Sequence, residues 1–163
     1  MTTLAVTGHM DLTEATVPLV RAALEELLAE HCGDGLVGVS CIAAGADSVF
    51  AEVVLEAGGQ LVVVVPSEDY RERKVRPAHA EQFVRLVEAA ADVVTMPFET
   101  ADRRAYEAAN RELLARADRL VAVWDGTPPS GKGGGTADTV LEARAAGIPV
   151  DVVWPEGAGR IPR

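Results

Sequence analysis

Residues 46–66, "ADSVFAEVVLEAGGQLVVVVP", decide the fold. The segment 46–59 reads as a helix that stops at its glycines. The segment 60–66, "QLVVVVP", then reads as a strand with a continuous apolar run. A strand with apolar side chains on both faces must be covered on both faces. A helix that runs straight into such a strand is the unit of a parallel sheet packed between two layers of helices.

The same unit recurs in both directions along the chain. Strands are expected at "TLAVTG" (3–8), "LVGVSCIA" (36–43), "DVVTMP" (92–97), "RLVAVWD" (119–125) and "IPVDVVW" (148–154). Helices are expected at 13–31, 78–91, 101–117 and 136–146. In the first of these, Val17, Val20, Leu24, Leu27 and Leu28 fall at helical spacing. Thr13 is its expected N-cap, and Pro18 lies within its first turns, where proline is tolerated best. The stretch "SEDYRERKVRP" (67–77) is expected as a long polar loop. The expectation is an α/β, three-layer Rossmann-like domain over residues 1–155, its sheet mostly parallel with helices on both faces, followed by a flexible tail at 156–163.

Composition narrows the function classes. The chain has 163 residues and a formal net charge of −10. That length suits one domain with a sizeable core. Aromatics make up only 4%, so Ala, Val and Leu must fill the interior. An acidic balance opposes non-specific binding to nucleic acid or an anionic membrane, so neither is expected as a partner. No apolar run approaches the ~20 residues of a membrane span, and the first residues lack the pattern of a signal peptide, so a cytoplasmic location is expected. Cys32 and Cys41 show no metal-ligand or redox spacing. No metal and no cofactor are expected, and Cys41 reads as a buried thiol in a strand.

In such sheets ligands bind beyond the carboxyl ends of the strands, at the point where the strand order reverses. The loops after strands one, two, three and five therefore matter most. "VTGHMD" (6–11) offers Gly8 for a sharp turn and His9 beside it, either as a ligand contact or as a solvated turn histidine. "AAGADS" (43–48) offers Gly45 for a turn and Asp47 in the first helical turn. Asp47 either caps its own helix or accepts bonds from a sugar hydroxyl. In "YRERKVRP" (70–77), Arg71 and Arg73 belong to a basic cluster that reads as a solvated loop or as a lid over a phosphate. On the helix at 101–117, Tyr106 and Asn110 are four residues apart and share one face. They project into the cleft or are buried groups satisfied locally.

The loop after strand five, "GTPPSGKGGGTADTV" (126–140), carries the strongest signal. Residues 126–133 approach the phosphate-binding pattern of ATPases but fail it. Gly133 stands where a magnesium-holding hydroxyl is needed. Pro128 and Pro129 have no amide to give. What remains is "GGGT" at a helix start, where successive amides of Gly133, Gly134 and Gly135, the Thr136 hydroxyl and the helix dipole favour an anion. The competing reading is a flexible loop capped by Thr136.

Taken together, "VTGH", "AAGAD", "AYEAAN", "VAVWDG" and "GGGTADTVLEARAAGIPV" resemble the SLOG superfamily. It unites the Lonely guy proteins (lysine decarboxylase-like), DNA-processing protein A and bacterial nucleotide-sensing domains. The resemblance spans nearly the whole chain in order, and its glycine–threonine motif after "WDG" is the most specific part. It implies a Rossmann-like domain that binds a nucleotide or phosphorylated nucleoside, and homodimers or higher homo-oligomers are common among its members. Gly133, Gly134, Gly135 and Thr136 would hold phosphate, with Lys132 reaching the ligand. Gly8, His9, Gly45 and Asp47 would line the sugar or base side, and Asp125 and Gly126 the rim.

The enzymatic branch of that family cleaves the N-glycosidic bond of nucleoside monophosphates and carries P-G-G-x-G-T-x-x-E. Here no proline precedes the glycines directly, and Thr139 stands in place of the glutamate. Asp138 is one residue early and Glu142 three late. One residue turns a helical side chain by ~100°, so neither is a simple substitute. Three readings follow: a nucleotide-binding or sensing domain, a phosphoribohydrolase-like enzyme using Asp138 or Glu142, and an interaction module with a vestigial cleft.

Overall fold

The structure is a computed structural model that describes residues 1–131, 133 and 135–162. Six strands form one sheet: β1 (Thr2–Gly8), β2 (Leu36–Ser40), β3 (Gln60–Val65), β4 (Asp92–Thr95), β5 (Arg119–Val123) and β6 (Val150–Val153). Their order is β4-β3-β2-β1-β5-β6, and every neighbouring pair is parallel. The helices are α1 (Thr16–Ala29), α2 (Ala46–Glu56), α3 (Tyr70–Lys74), α4 (Pro77–Ala89), α5 (Arg103–Arg116) and α6 (Thr136–Ala145). The fold is therefore the three-layer α/β architecture that the apolar strands imply.

The two faces of each strand divide the core. Leu4, Val6, Val121 and Val123 face α1 and α2, meeting Val20, Leu24, Leu28, Phe50 and Val54. Ala5, Val39, Val64, Leu120 and Ala122 face α5 and α6, meeting Ala109, Leu113, Val140 and Ala143. A third cluster joins Leu61 and Val63 to Phe83 and Leu86 of α4 and to Tyr70. Each fully buried Val, Leu or Phe side chain contributes roughly 1.5–3 kcal/mol. Period-2 burial in the strands is thus what fixes the helices to both faces.

Three local expectations change. The first helix begins at Thr16 and not near Thr13, with Ala15 at its N-cap. Thr13 instead forms the preceding turn. Its carbonyl accepts from the amides of Thr16 and Val17, and its hydroxyl meets that of Thr16 at 2.6 Å. The polar stretch 67–77 is not all loop, because α3 forms within it once Tyr70 is buried against Phe83.

The stretch expected as a flexible tail is fastened. The Gly159 carbonyl accepts from the Thr13 amide at 3.2 Å, and its amide donates to the Thr16 hydroxyl at 2.8 Å. The Ile161 amide donates to the Asp11 carbonyl at 2.7 Å, and Leu12 and Arg160 form an antiparallel bridge. These bonds satisfy backbone groups of the β1–α1 loop that otherwise need water.

No helix among the described residues is long and apolar enough to cross a membrane.

Candidate functional site at the carboxyl edge of the sheet

β1 pairs with β2 on one side and with β5 on the other, so the strand order reverses between β1 and β5. The loops after β1, β2 and β5 open at this edge. Two glycines let them meet. A Cβ at Gly8 would lie 2.5 Å from the Ala46 Cβ and 2.9 Å from the Val123 Cβ. Gly45 has φ +83°, and a Cβ there would lie 2.7 Å from the His9 carbonyl oxygen. The Ala46 amide closes this seam by donating to that carbonyl at 3.1 Å. The protein's own side chains and backbone therefore account for both glycines, without a ligand.

On the β1–β5 side His9 is buried, and Asp125 is an exposed residue whose side chain is 23% accessible. His9 Nε2 lies 3.1 Å from both the backbone amide and Oδ1 of Asp125. On the neutral ring the amide donates to Nε2. Burial and the nearby Arg160 guanidinium hold the His9 pKa below its ordinary value, against the pull of Asp125. Burial works against the Asp125 charge, but the Thr127 hydroxyl and amide and the His9 ring prevail and hold its carboxyl well below the usual carboxylate range. Arg160 spans the edge. Its Nε donates to Asp11 at 2.8 Å, and its Nη1 lies 3.5 Å from Asp125. The Trp154 ring meets the His9 ring edge-on at 5.7 Å. Gly126 follows with φ +88° and open space around it, the backbone of an exposed rim.

On the β2–β3 side the chemistry differs. Asp47 is 9% exposed in the first turn of α2. Burial pushes its carboxyl up to about 7, only partly opposed by a bond from the Ala43 backbone. Burial, with Asp47 nearby, pushes the Cys41 thiol up as well. Burial raises the Tyr70 phenol too, with Cys41, Asp47 and Tyr106 adding to it. The rings of Tyr70 and Tyr106 meet at 6.4 Å. Tyr106 is half-buried on α5, and Asn110 lies half-buried one turn further along.

The glycine loop returns across α5. Gly133 has φ +76°, and a Cβ there would lie 2.5 Å from the Arg103 Nε and 2.7 Å from a Glu107 carboxylate oxygen. The positive φ is what favours glycine at 133; the Arg103 and Glu107 side-chain ends, paired at 2.8 Å, are flexible enough to move aside. Gly135 is the N-cap of α6 and Thr136 its first residue, so Thr136 is not the cap. The first helical bond runs from the Thr139 amide to the Gly135 carbonyl at 3.1 Å. The amides of residues 136–138 consequently have no acceptor within the helix. Lys132 and Gly134 lie outside the described residues.

The two candidate acids differ in place. Asp138 accepts from the Gly135 amide at 3.1 Å, so it caps its own helix. Glu142 is exposed on α6. Thr139 is 1% exposed, and its hydroxyl donates to the Gly135 carbonyl at 3.1 Å. Arg71 and Arg73 are exposed on α3. Arg71 lines a cavity of about 310 Å³ with Ser67, Phe83, Val87 and Thr95, which shares no lining residue with the loops after β1, β2 and β5.

Sequence reasoning missed Tyr70, Asp11 and Arg160. Tyr70 carried one signal: it is a single aromatic residue within an otherwise charged and polar run. Arg160 carried none, because its partners lie some 35 and 149 positions away.

Similar architectures occur among solved structures. DNA processing protein A from Streptococcus pneumoniae matches with a TM-score of 0.68 at 18% identity, over 96% of this chain and 52% of that one. The same protein from Helicobacter pylori matches with 0.65 at 19%, over 98% and 68%. The Moco carrier protein from Chlamydomonas reinhardtii matches with 0.58 at 21%, over 95% and 78%. The chain shares the Rossmann-like α/β fold of these proteins. It spans about half the length of the pneumococcal protein. No protein-family model and no curated protein matches the sequence.

The exclusion of nucleic acid does not stand. The Helicobacter structure describes a single-stranded DNA binding mode for a protein of this fold. Net charge sums over the whole surface and does not say where cations and free amides lie, so a charge of −10 is no ground for that exclusion.

Proposed function

We propose that this protein binds a nucleotide or phosphorylated nucleoside at the carboxyl edge of its sheet, with the phosphate on the 133–136 loop. One observation carries the reading. The reversal of strand order between β1 and β5 brings the loops after β1, β2 and β5 to one edge, and α6 begins there with amides that the helix itself does not use. Open α/β sheets bind ligands at this place, and helix N-termini favour anions. Asp138 already takes the Gly135 amide, so a phosphate would use the amides of residues 136–138 and the Thr136 hydroxyl. The resemblance to nucleotide-sensing domains supports the same ligand class. Glycosidic cleavage is not part of the proposal, because Thr139 places no carboxylate where that chemistry needs one.

Calorimetric titration with the common nucleoside monophosphates, and with a short single-stranded oligonucleotide as a separate arm, tests the reading. At least one of these ligands should bind, and Thr136→Ala should weaken it about tenfold, the worth of one charge-assisted hydrogen bond. No binding in either arm, or full affinity in the variant, would overturn it.

A further inference from the structure

We propose that the outer edge of β4, with the cavity beside it, is a docking site for an extended peptide segment that carries apolar residues between basic ends. This site does not depend on the nucleotide reading, because the cavity shares no lining residue with the loops after β1, β2 and β5.

The backbone supplies the first support. β4 ends the sheet and pairs only with β3. The outward N–H and C=O groups of Asp92–Thr95 therefore face away from the ladder. No loop or turn backbone among the described residues bonds to them. An extended segment takes up such groups by adding one more strand.

The cavity supplies the second. Val93 is in register with Val63, and Thr95 with Val65, so these four side chains share one face of the sheet. On that face Leu61 and Val63 pack against Phe83 and Leu86 of α4. α4 thus covers β3 but leaves Val93 of β4 39% exposed. Between them lies the cavity of about 310 Å³, with Val65, Val93 and Thr95 on the sheet side and Phe83, Val84 and Val87 on the helix side. In an added strand every second side chain points to this face. Apolar side chains there leave water for the space beside Val93 and Phe83.

Charge decides the occupant. Glu68, Glu72 and Glu88 line the same cavity against one cation, Arg71. All three glutamates are exposed, and none forms an ion pair with a described residue. They flank both ends of the groove. The Glu68 amide donates to the Phe98 carbonyl at 2.8 Å, beyond the carboxyl end of β4. Glu88 lies in the last turn of α4, which leads into the amino end of β4. A segment with a basic residue at each end complements this rim. A second copy does not, because a two-fold β4–β4 pairing lays the two acidic rims side by side.

The peptide acetyl-Lys-Thr-Val-Thr-Val-Thr-Lys-amide carries both lysines and both valines on one face and tests the site by NMR titration of the whole chain. It should shift the amide resonances of residues 92–95. It should bind about tenfold or more tighter than the same peptide with Glu for both lysines. In an extended segment the amides of the threonines and those of the valines point to opposite edges, and only one set meets β4. N-methylation of one set should therefore abolish binding, and N-methylation of the other should spare it. The double variant Glu72→Lys/Glu88→Lys should keep the wild-type melting temperature and reverse the preference between the two peptides. No shift at residues 92–95 with millimolar peptide, or equal affinity for both peptides in wild type, would overturn the proposal. So would equal binding of the two N-methylated forms. A dimer in sedimentation that Val93→Lys dissolves would give the edge to a second copy and overturn it as well.

Discussion

The carboxyl edge of the sheet keeps two carboxyl groups in opposite conditions. Asp125, after β5, is exposed and supplied with donors: the Thr127 hydroxyl and amide and the Arg160 guanidinium. Asp47, after β2, is buried, and a bond from the Ala43 backbone is what supports its charge among the described residues. The first is an anion bound into structure. The second is a carboxyl the fold tolerates at a cost. Within one sheet edge, one carboxyl is held in its charged form by hydrogen-bond donors, and burial favours the neutral form of the other.

Breaking the seam between the two regions should have the largest effect. Gly45→Ala forces an L residue to φ +83° and drives its Cβ into the His9 carbonyl. Neither clash involves a flexible side chain, so the β1 and β2 loops must part. A loss of about 3 kcal/mol or more is expected, measured by urea unfolding. A loss under about 0.5 kcal/mol would mean that the two regions are not joined here.

The next effect sharpens the comparison by pH. Asp47 has a raised folded pKa, so the unfolded chain ionises first. Its contribution is full below the ordinary pKa near 3.8 and is lost as pH rises toward 7. The ceiling on that loss is about 4 kcal/mol. Asp125 has a depressed folded pKa, so its contribution is present above the ordinary carboxylate value and is lost as pH falls below it. Asp47→Asn should therefore gain on wild type between pH 4.5 and pH 8, whereas Asp125→Asn should lose about 1–2 kcal/mol at pH 7 and converge with wild type toward pH 2. Parallel pH profiles for the two variants would remove the contrast.

Much of this frame is readable in the residues. Continuous apolar strands such as Leu61 to Val65 announce a buried parallel sheet, because period-2 burial on both faces leaves no polar position. Gly8, Gly45 and Asp125 follow from the rule that loops at the switch in strand order matter. What the glycines do is less readable. Gly8, Gly45 and Gly133 meet the protein's own backbone and side chains, and a sequence does not distinguish a close approach by a ligand from one by another loop. Tyr70 escaped notice because five charged neighbours mask one aromatic residue whose burial depends on α4. Arg160 escaped because its role exists only once residues far apart in the chain are folded together.

Arg160 offers the smallest and most specific test. It joins the 158–161 strap to both Asp11 and Asp125, yet it is only half-buried, and ion pairs at such positions contribute about 1 kcal/mol or less. Arg160→Ala should lower stability by that amount. Its more telling effect is on His9, whose pKa the guanidinium helps to hold down. Without Arg160, burial alone opposes the attraction of Asp125 and Asp11 for the ring's proton, so the His9 pKa, followed by NMR of the imidazole, should rise. The backbone bonds of Gly159 and Ile161 do not depend on the Arg160 side chain and keep the strap in place. An unchanged His9 titration would show that the strap fastens the edge mechanically and does not set its charge.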